Sequence, residues 1–209
     1  MLKPSLEEVK ALAKQYNTIP VFYEFSADNQ TPLNIYAALS KDSRNSFILE
    51  SVSNGVQWDR YSFVGVSPKE EICITGNTAE IRTGDKIETK EVEQPIAFLK
   101  ERMAAYRSPV LEGAPNFTGG LIGYFGYDTV RYMEKKLTHV PEDDIHMPDC
   151  HLFLYEELLA YDHLTSNGIV ILNLHTDGDL GAQYAAAQWR AEELADIVRH
   201  YNPQPQGRQ

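Results

Sequence analysis

The stretch FILESVSNGVQWDRYSFVGVSP, residues 47–68, decides how the chain reads. It contains two runs of period two, near 46–52 and 57–66, joined through Ser53-Asn54-Gly55, the strongest local signal for a β-hairpin. Strand parity puts Phe47, Leu49 and Ser51 on one face and Ile48, Glu50 and Val52 on the other. In the partner strand Trp58, Arg60, Ser62 and Val64 share a face opposite Asp59, Tyr61 and Phe63. Both faces are therefore mixed. A polar group buried there without a partner costs about 1–3 kcal/mol. Either such groups pair internally, for example Glu50 with Arg60, or they line a cavity for a polar ligand; charged side chains inside proteins are normally paired.

Outward from this hairpin the same logic continues. Runs at 71–75, 78–82 and 86–92 are separated by Gly76-Asn77 and Gly84-Asp85, which predicts an antiparallel meander. Pro95 opens a predicted helix to about Tyr106, with Ile96, Leu99, Met103 and Tyr106 on one stripe. Residues 117–128, FTGGLIGYFGYD, read as an apolar strand, with a short helix over 127–136 to follow. Residues 151–163 and 168–175 read as a long hairpin around Thr165-Ser166-Asn167-Gly168, and an alanine-rich helix covers 183–200. Upstream, Ser5-Leu6-Glu7-Glu8 has the form of a capping box before a helix, 21–25 read as a strand, and Thr31-Pro32 reads as an N-cap with proline at the first helical position. Strands interspersed with helices, without regular βαβ alternation, indicate an α+β fold of mainly antiparallel sheets with helices packed outside.

The totals narrow the function. The 209 residues carry a formal net charge of -11 with no Lys/Arg cluster, so neither a phosphate backbone nor an anionic membrane surface is an expected partner. Cys73 and Cys150 are the only cysteines and form no C-x-x-C; neither a disulfide framework nor a zinc site is expected, and a reducing cytoplasm fits. The N-terminus lacks the apolar core of a signal peptide, and no apolar run reaches membrane-spanning length. The glycines at 119, 120, 123 and 126 alternate with aromatics inside a strand-like run, so they mark a bulge or a close backbone approach rather than a phosphate loop. Glu142-Asp143-Asp144 reads as a solvated loop without EF-hand spacing. The six histidines show no H-E-x-x-H spacing and no G-x-S-x-G elbow occurs. Cys73 reads as a small core residue, and Cys150 has only His151 beside it as an activating base. No catalytic residue is expected here.

The succession IPVFYEF, FILESVSNGVQWDRYSFVGVSP, FTGGLIGYFGYDTVRYME, a proline-bearing acidic loop and LYEELLAYDH resembles the N-terminal region of anthranilate synthase component I, over nearly the whole chain and in order. The sister large subunit of aminodeoxychorismate synthase is similar, and a stand-alone amino-acid-binding module is a third reading. The resemblance implies that Leu49, Glu50 and Ser51 belong to an effector site for L-tryptophan, with Arg60 as a further ligand. A free amino acid brings an ammonium and a carboxylate, for which a carboxylate, a hydroxyl and a guanidinium are charge-assisted partners.

It implies one N-terminal domain over 1–202, a linker-like tail at 203–209, and a catalytic, chorismate-binding half, with its Mg2+, outside this chain. The chain alone is then expected to be inactive and to hold no cofactor. Its expected partners are L-tryptophan, the missing half and a glutamine amidotransferase subunit. The family's halves together form a four-layer α/β/β/α body, so one half alone is expected to leave apolar sheet surface uncovered and to self-associate.

Overall fold

The computed structural model describes residues 1–50, 60–134, 136–137 and 145–203. It contains two five-stranded antiparallel sheets, and the chain divides into two compact units. One comprises residues 1–67, 107–119 and 156–209; the other comprises 68–106 and 120–155.

In the first unit the strands are β1 (Thr18–Ser26), β2 (Ser46–Leu49), β3 (Tyr61–Val66), β9 (Glu157–Asp162) and β10 (Asn167–His175). Their order is β1-β10-β9-β3-β2. Three helices belong to this unit: α1 (Leu6–Leu12), α2 (Pro32–Leu39) and α4 (Leu180–His200). Each begins where the local chemistry requires. The Ser5 and Glu8 side chains cap each other's backbone N–H at the start of α1, and Thr31 Oγ1 accepts from the Asn34 amide before Pro32. Asp179, a cap that the sequence reading passed over, accepts from the amides of Gly181 and Ala182 and so starts α4 three residues ahead of the expected 183.

Helix α4 buries Ala187, Ala191, Leu194, Ala195 and Val198, one stripe whose alanines let the helix approach the sheet closely. Opposite it a row of directly paired residues crosses all five strands, Tyr23, Val170, Leu159, Val64 and Ile48. These side chains join one apolar core with Ile19, Val21, Ile35 and the α4 stripe. The segment 107–119 belongs to this unit through side-chain anchors. The Arg107 amide donates to Asn17 Oδ1, Asn173 Nδ2 donates to the Thr118 carbonyl, and Phe117 meets Phe63 edge-on at 5.4 Å.

The second unit is the expected meander, β4 (Glu70–Thr75), β5 (Thr78–Thr83) and β6 (Lys86–Glu91), extended on the other side by β8 (Cys150–Tyr155) and β7 (Gly120–Phe125). Ile72, Ile74, Ala79, Ile81, Cys150 and Leu152 make its core with Leu99 of α3 (Pro95–Ala104). Strand β6 is exposed throughout and carries Lys86, Glu88, Lys90 and Glu91, charges that blunt an edge strand against further pairing. A short 3-10 helix spans Tyr127–Tyr132. The Tyr132 hydroxyl donates to Asp149, whose carboxylate also accepts from the Gly76 amide, tying this turn to β8 and to the β4–β5 corner.

Two expectations need correction. The strand expected over 117–128 is ordered only as Gly120–Phe125. The run 151–163 is not one arm of a long hairpin. It breaks at Glu156 into β8 and β9, one in each sheet, because the backbone changes partners there. Tyr155 faces Gly120, whereas Glu157 faces Leu172. Only β9 forms the hairpin with β10.

Candidate functional site

The hairpin of the opening stretch is present, with Ser46 opposite Val66 and Leu49 opposite Phe63. Phe47 lies across Gly65, its direct partner, where a Cβ would come within 2.8 Å of the ring Cζ. Glycine at 65 thus makes room for the Phe47 ring over β3. Leu49 is 46% exposed and Glu50 is exposed too. Ser51 lies outside the described residues, as do the Asn-Gly turn and the 142–144 acidic run.

Arg60 lies one residue before β3 and does not pair with Glu50. Its Nε donates to Asp162 Oδ1 at 3.0 Å and its Nη2 to Oδ2 at 2.7 Å, while its Cζ sits 5.0 Å from the Tyr61 ring centroid. Asp162 closes β9 directly opposite Tyr61 and is 2% exposed. The Leu164 amide donates to Oδ1 and the Thr165 hydroxyl to Oδ2, at 3.0 and 2.9 Å. The backbone repeats the tie, since the His163 amide donates to the Arg60 carbonyl. Ser62, 1% exposed, has its Oγ 2.8 Å from His163 Nε2. Strand parity had grouped Arg60 with Ser62, but Arg60 is a turn residue, and its guanidinium bonds the residue that faces Tyr61.

The β9–β10 corner therefore supplies partners for Arg60 and Ser62. Sequence reading missed Asp162 and His163. The available signal was an aspartate ending the apolar run ELLAYD with threonine three residues on, the pattern of a turn in which the carboxylate caps the following backbone.

The electrostatics agree with this geometry. Burial pushes the Asp162 carboxyl up, but the hydrogen bonds from Arg60, Leu164 and Thr165 outweigh it and hold the group below the usual carboxylate range. The same bond raises Arg60. A carboxyl depressed in the folded state contributes stability that is complete above its unfolded value of about 4 and is lost as pH falls through the lower folded value. Thermal unfolding followed from pH 7 to pH 3 is expected to show this loss, and Asp162→Asn is expected to flatten that limb relative to the unaltered chain. Parallel curves for the two would contradict the assignment.

Burial pushes the Cys150 thiol up to about 11, so it stays protonated at neutral pH. His151 Nε2 lies 2.7 Å from Glu71 Oε1 rather than serving that thiol, and Cys73 is only half-buried. A cavity of about 660 Å3 lies in the first unit among Lys3, Phe22, Glu24, Leu111 and Ile169. Leu49, Glu50 and Arg60 do not line it.

The family described as chorismate binding enzyme matches residues 44–209. The chain belongs to the chorismate binding enzyme family. Within it, the chain is 38% identical over 194 residues to anthranilate synthase component 1 of Acetivibrio thermocellus, covering 93% of this chain and 39% of that protein. It is 37% identical over 196 residues to the protein of the same name from Pseudomonas aeruginosa, again covering 39% of it. The crystal structure of anthranilate synthase component I from Streptococcus pneumoniae matches 84% of this chain and 36% of its own at 26% identity, with a TM-score of 0.51. This member of the chorismate binding enzyme family thus spans about 39% of the length of the relatives it matches. Its two antiparallel sheets are similar to part of the anthranilate synthase component I structure.

Proposed function

We propose that the chain is the N-terminal, regulatory portion of anthranilate synthase component I, which as a whole converts chorismate to anthranilate on the route to tryptophan. The observation that carries this reading is the similarity to proteins of that name along 92–93% of this chain. Those names favour it over the aminodeoxychorismate counterpart and over a stand-alone module. The chemistry on chorismate belongs to the remaining length of the whole protein, and the 209 residues alone are inactive. The Mg2+ of the reaction belongs to the catalytic half, and no residue of this chain is assigned to it. The other expected partner is a glutamine amidotransferase subunit. The whole assembly works in the cytoplasm; no described helix is long and apolar enough to cross a membrane.

The regulatory part is a site for L-tryptophan that includes Leu49, Glu50, Ser51 and Arg60. Glu50 suits the ammonium, Arg60 the carboxylate, and Ser51 either group through its hydroxyl. Inhibition requires that tryptophan bind one arrangement of the enzyme more tightly than the catalytically competent one, since a ligand with equal affinity for both shifts nothing.

In the full-length enzyme, Ser51→Leu is expected to weaken tryptophan inhibition by roughly 10- to 150-fold, the equivalent of about 1.5–3 kcal/mol for a hydrogen bond to a charged group. Anthranilate fluorescence measured against tryptophan concentration reads this directly, and an unchanged inhibition curve would reject the site. Anthranilate formed from chorismate, ammonia and Mg2+ by the 209 residues alone would reject the division of labour.

A further inference from the structure

We infer that Asp162 is the positioning residue of the effector site, aiming the Arg60 guanidinium at the ligand's carboxylate. The inference rests on the effector reading above. An arginine on a hairpin edge has four flexible bonds, and holding its planar fork in one orientation has an entropic cost that a fixed partner removes in advance. Here the partner is fixed. Asp162 is 2% exposed, ends a central strand, and is itself held by the Leu164 amide and the Thr165 hydroxyl.

It takes Nε and one Nη2 hydrogen of Arg60 and so uses one edge of the fork. A guanidinium has five N–H donors, and Asp162 does not use the Nη1–Nη2 edge, whose paired donors match a carboxylate. The Arg60 side chain is 45% exposed, in contrast to the 3% of Asp162. The guanidinium lies over the Tyr61 ring, 5.0 Å from its centroid, within cation–π range. Lysine could not serve both carboxylates in this way, because its ammonium is a single point of charge without a fork.

The test is a double-mutant cycle in the full-length enzyme, reading the inhibition constant for L-tryptophan relative to each variant's own uninhibited rate. Arg60→Ala is expected to raise that constant by at least tenfold, and Arg60→Lys nearly as much. Asp162→Asn is expected to raise it about tenfold when Arg60 is present. In the Arg60→Ala background it should add no more than about twofold, the scatter of additive pairs. A purely structural role for Asp162 would move both backgrounds alike, and that outcome overturns the inference, as does an unaltered constant in Asp162→Asn. If melting shows that Asp162→Asn does not fold, Thr165→Val removes one of the four described bonds that the Asp162 carboxylate accepts. It should then give a smaller rise that again vanishes in the Arg60→Ala background; equal rises in both would overturn the inference. A wild-type enzyme that makes anthranilate yet ignores tryptophan would instead sink the effector reading and this inference with it. An inhibited wild type with no coupling between Asp162 and Arg60 sinks the inference alone.

Discussion

Leu159→Ala is expected to destabilise the first unit by about 4 kcal/mol, in the upper part of the roughly 2–5 kcal/mol range for such truncations in a core. Leu159 lies at the centre of the row that crosses the sheet, with Val64 on one side and Val170 on the other, and the three are 1%, 3% and 0% exposed. The cost of a large-to-small change depends on how far the surroundings can close in. Here both lateral neighbours are held by ladder hydrogen bonds, and the facing core includes the α4 stripe, so little collapse is available. For a chain of this size the unfolding midpoint should fall by roughly 10 °C in calorimetry. Leu164→Ala, at a residue 75% exposed in the adjoining corner, should change stability by no more than about 0.5 kcal/mol. Equal effects at the two positions would mean that the core is not where the structure puts it.

Gly123→Ala is expected to detach β7 from the second sheet. Gly123 faces Leu152 in β8, and a Cβ built on it would collide with the His151 carbonyl oxygen and lie 2.9 Å from Leu152 Cα. A flexible side chain could move aside, but a strand backbone can do so only by giving up its pairing. β8 cannot retreat, because its other edge is bonded to β4 through the pairs Cys73–His151 and Ile72–Leu152. The penalty should therefore exceed the roughly 1–3 kcal/mol of ordinary overpacking. Amide exchange across β7 should rise to that of an open segment while β4 and β8 keep their protection. Gly126→Ala is the graded control, since its Cβ would come no nearer than 3.2 Å to the Asp149 carbonyl oxygen and should cost less. Retained protection across β7 in Gly123→Ala would refute the close approach.

The same glycine shows how much was legible beforehand. Alternation of glycine with aromatics inside a strand-like run pointed to close backbone approach, and Gly123 meets that description. Capping at Ser5 and Thr31, the helix from Pro95, and the three-strand meander were also readable, because the caps and the helix depend on residues within four positions of one another and the meander on tight turns between strands adjacent in sequence. The break at Glu156 was not. Leu152, Leu154, Leu158, Leu159 and Ala160 are all buried, so LFLYEELLAYD shows no change of period where the chain passes from one sheet to the other. The break is marked instead by distant partners, since His175 Nε2 lies within 3.0 Å of both Glu156 carboxylate oxygens and Asn173 Nδ2 donates to the Glu156 carbonyl.

For the candidate site the division is similar. Residues 47–68 declared a hairpin with charged and hydroxyl groups that needed partners, and the order of short motifs along the chain pointed to the family. Both are properties of neighbouring residues and of their succession, so the sequence alone determined them. Which partner satisfies Arg60 was decided by the tertiary structure, because Asp162 is 102 positions away and meets it only when β9 docks beside β3. Strand order and register set that meeting, and they follow from burying the apolar row across all five strands at once. No local pattern carries that requirement.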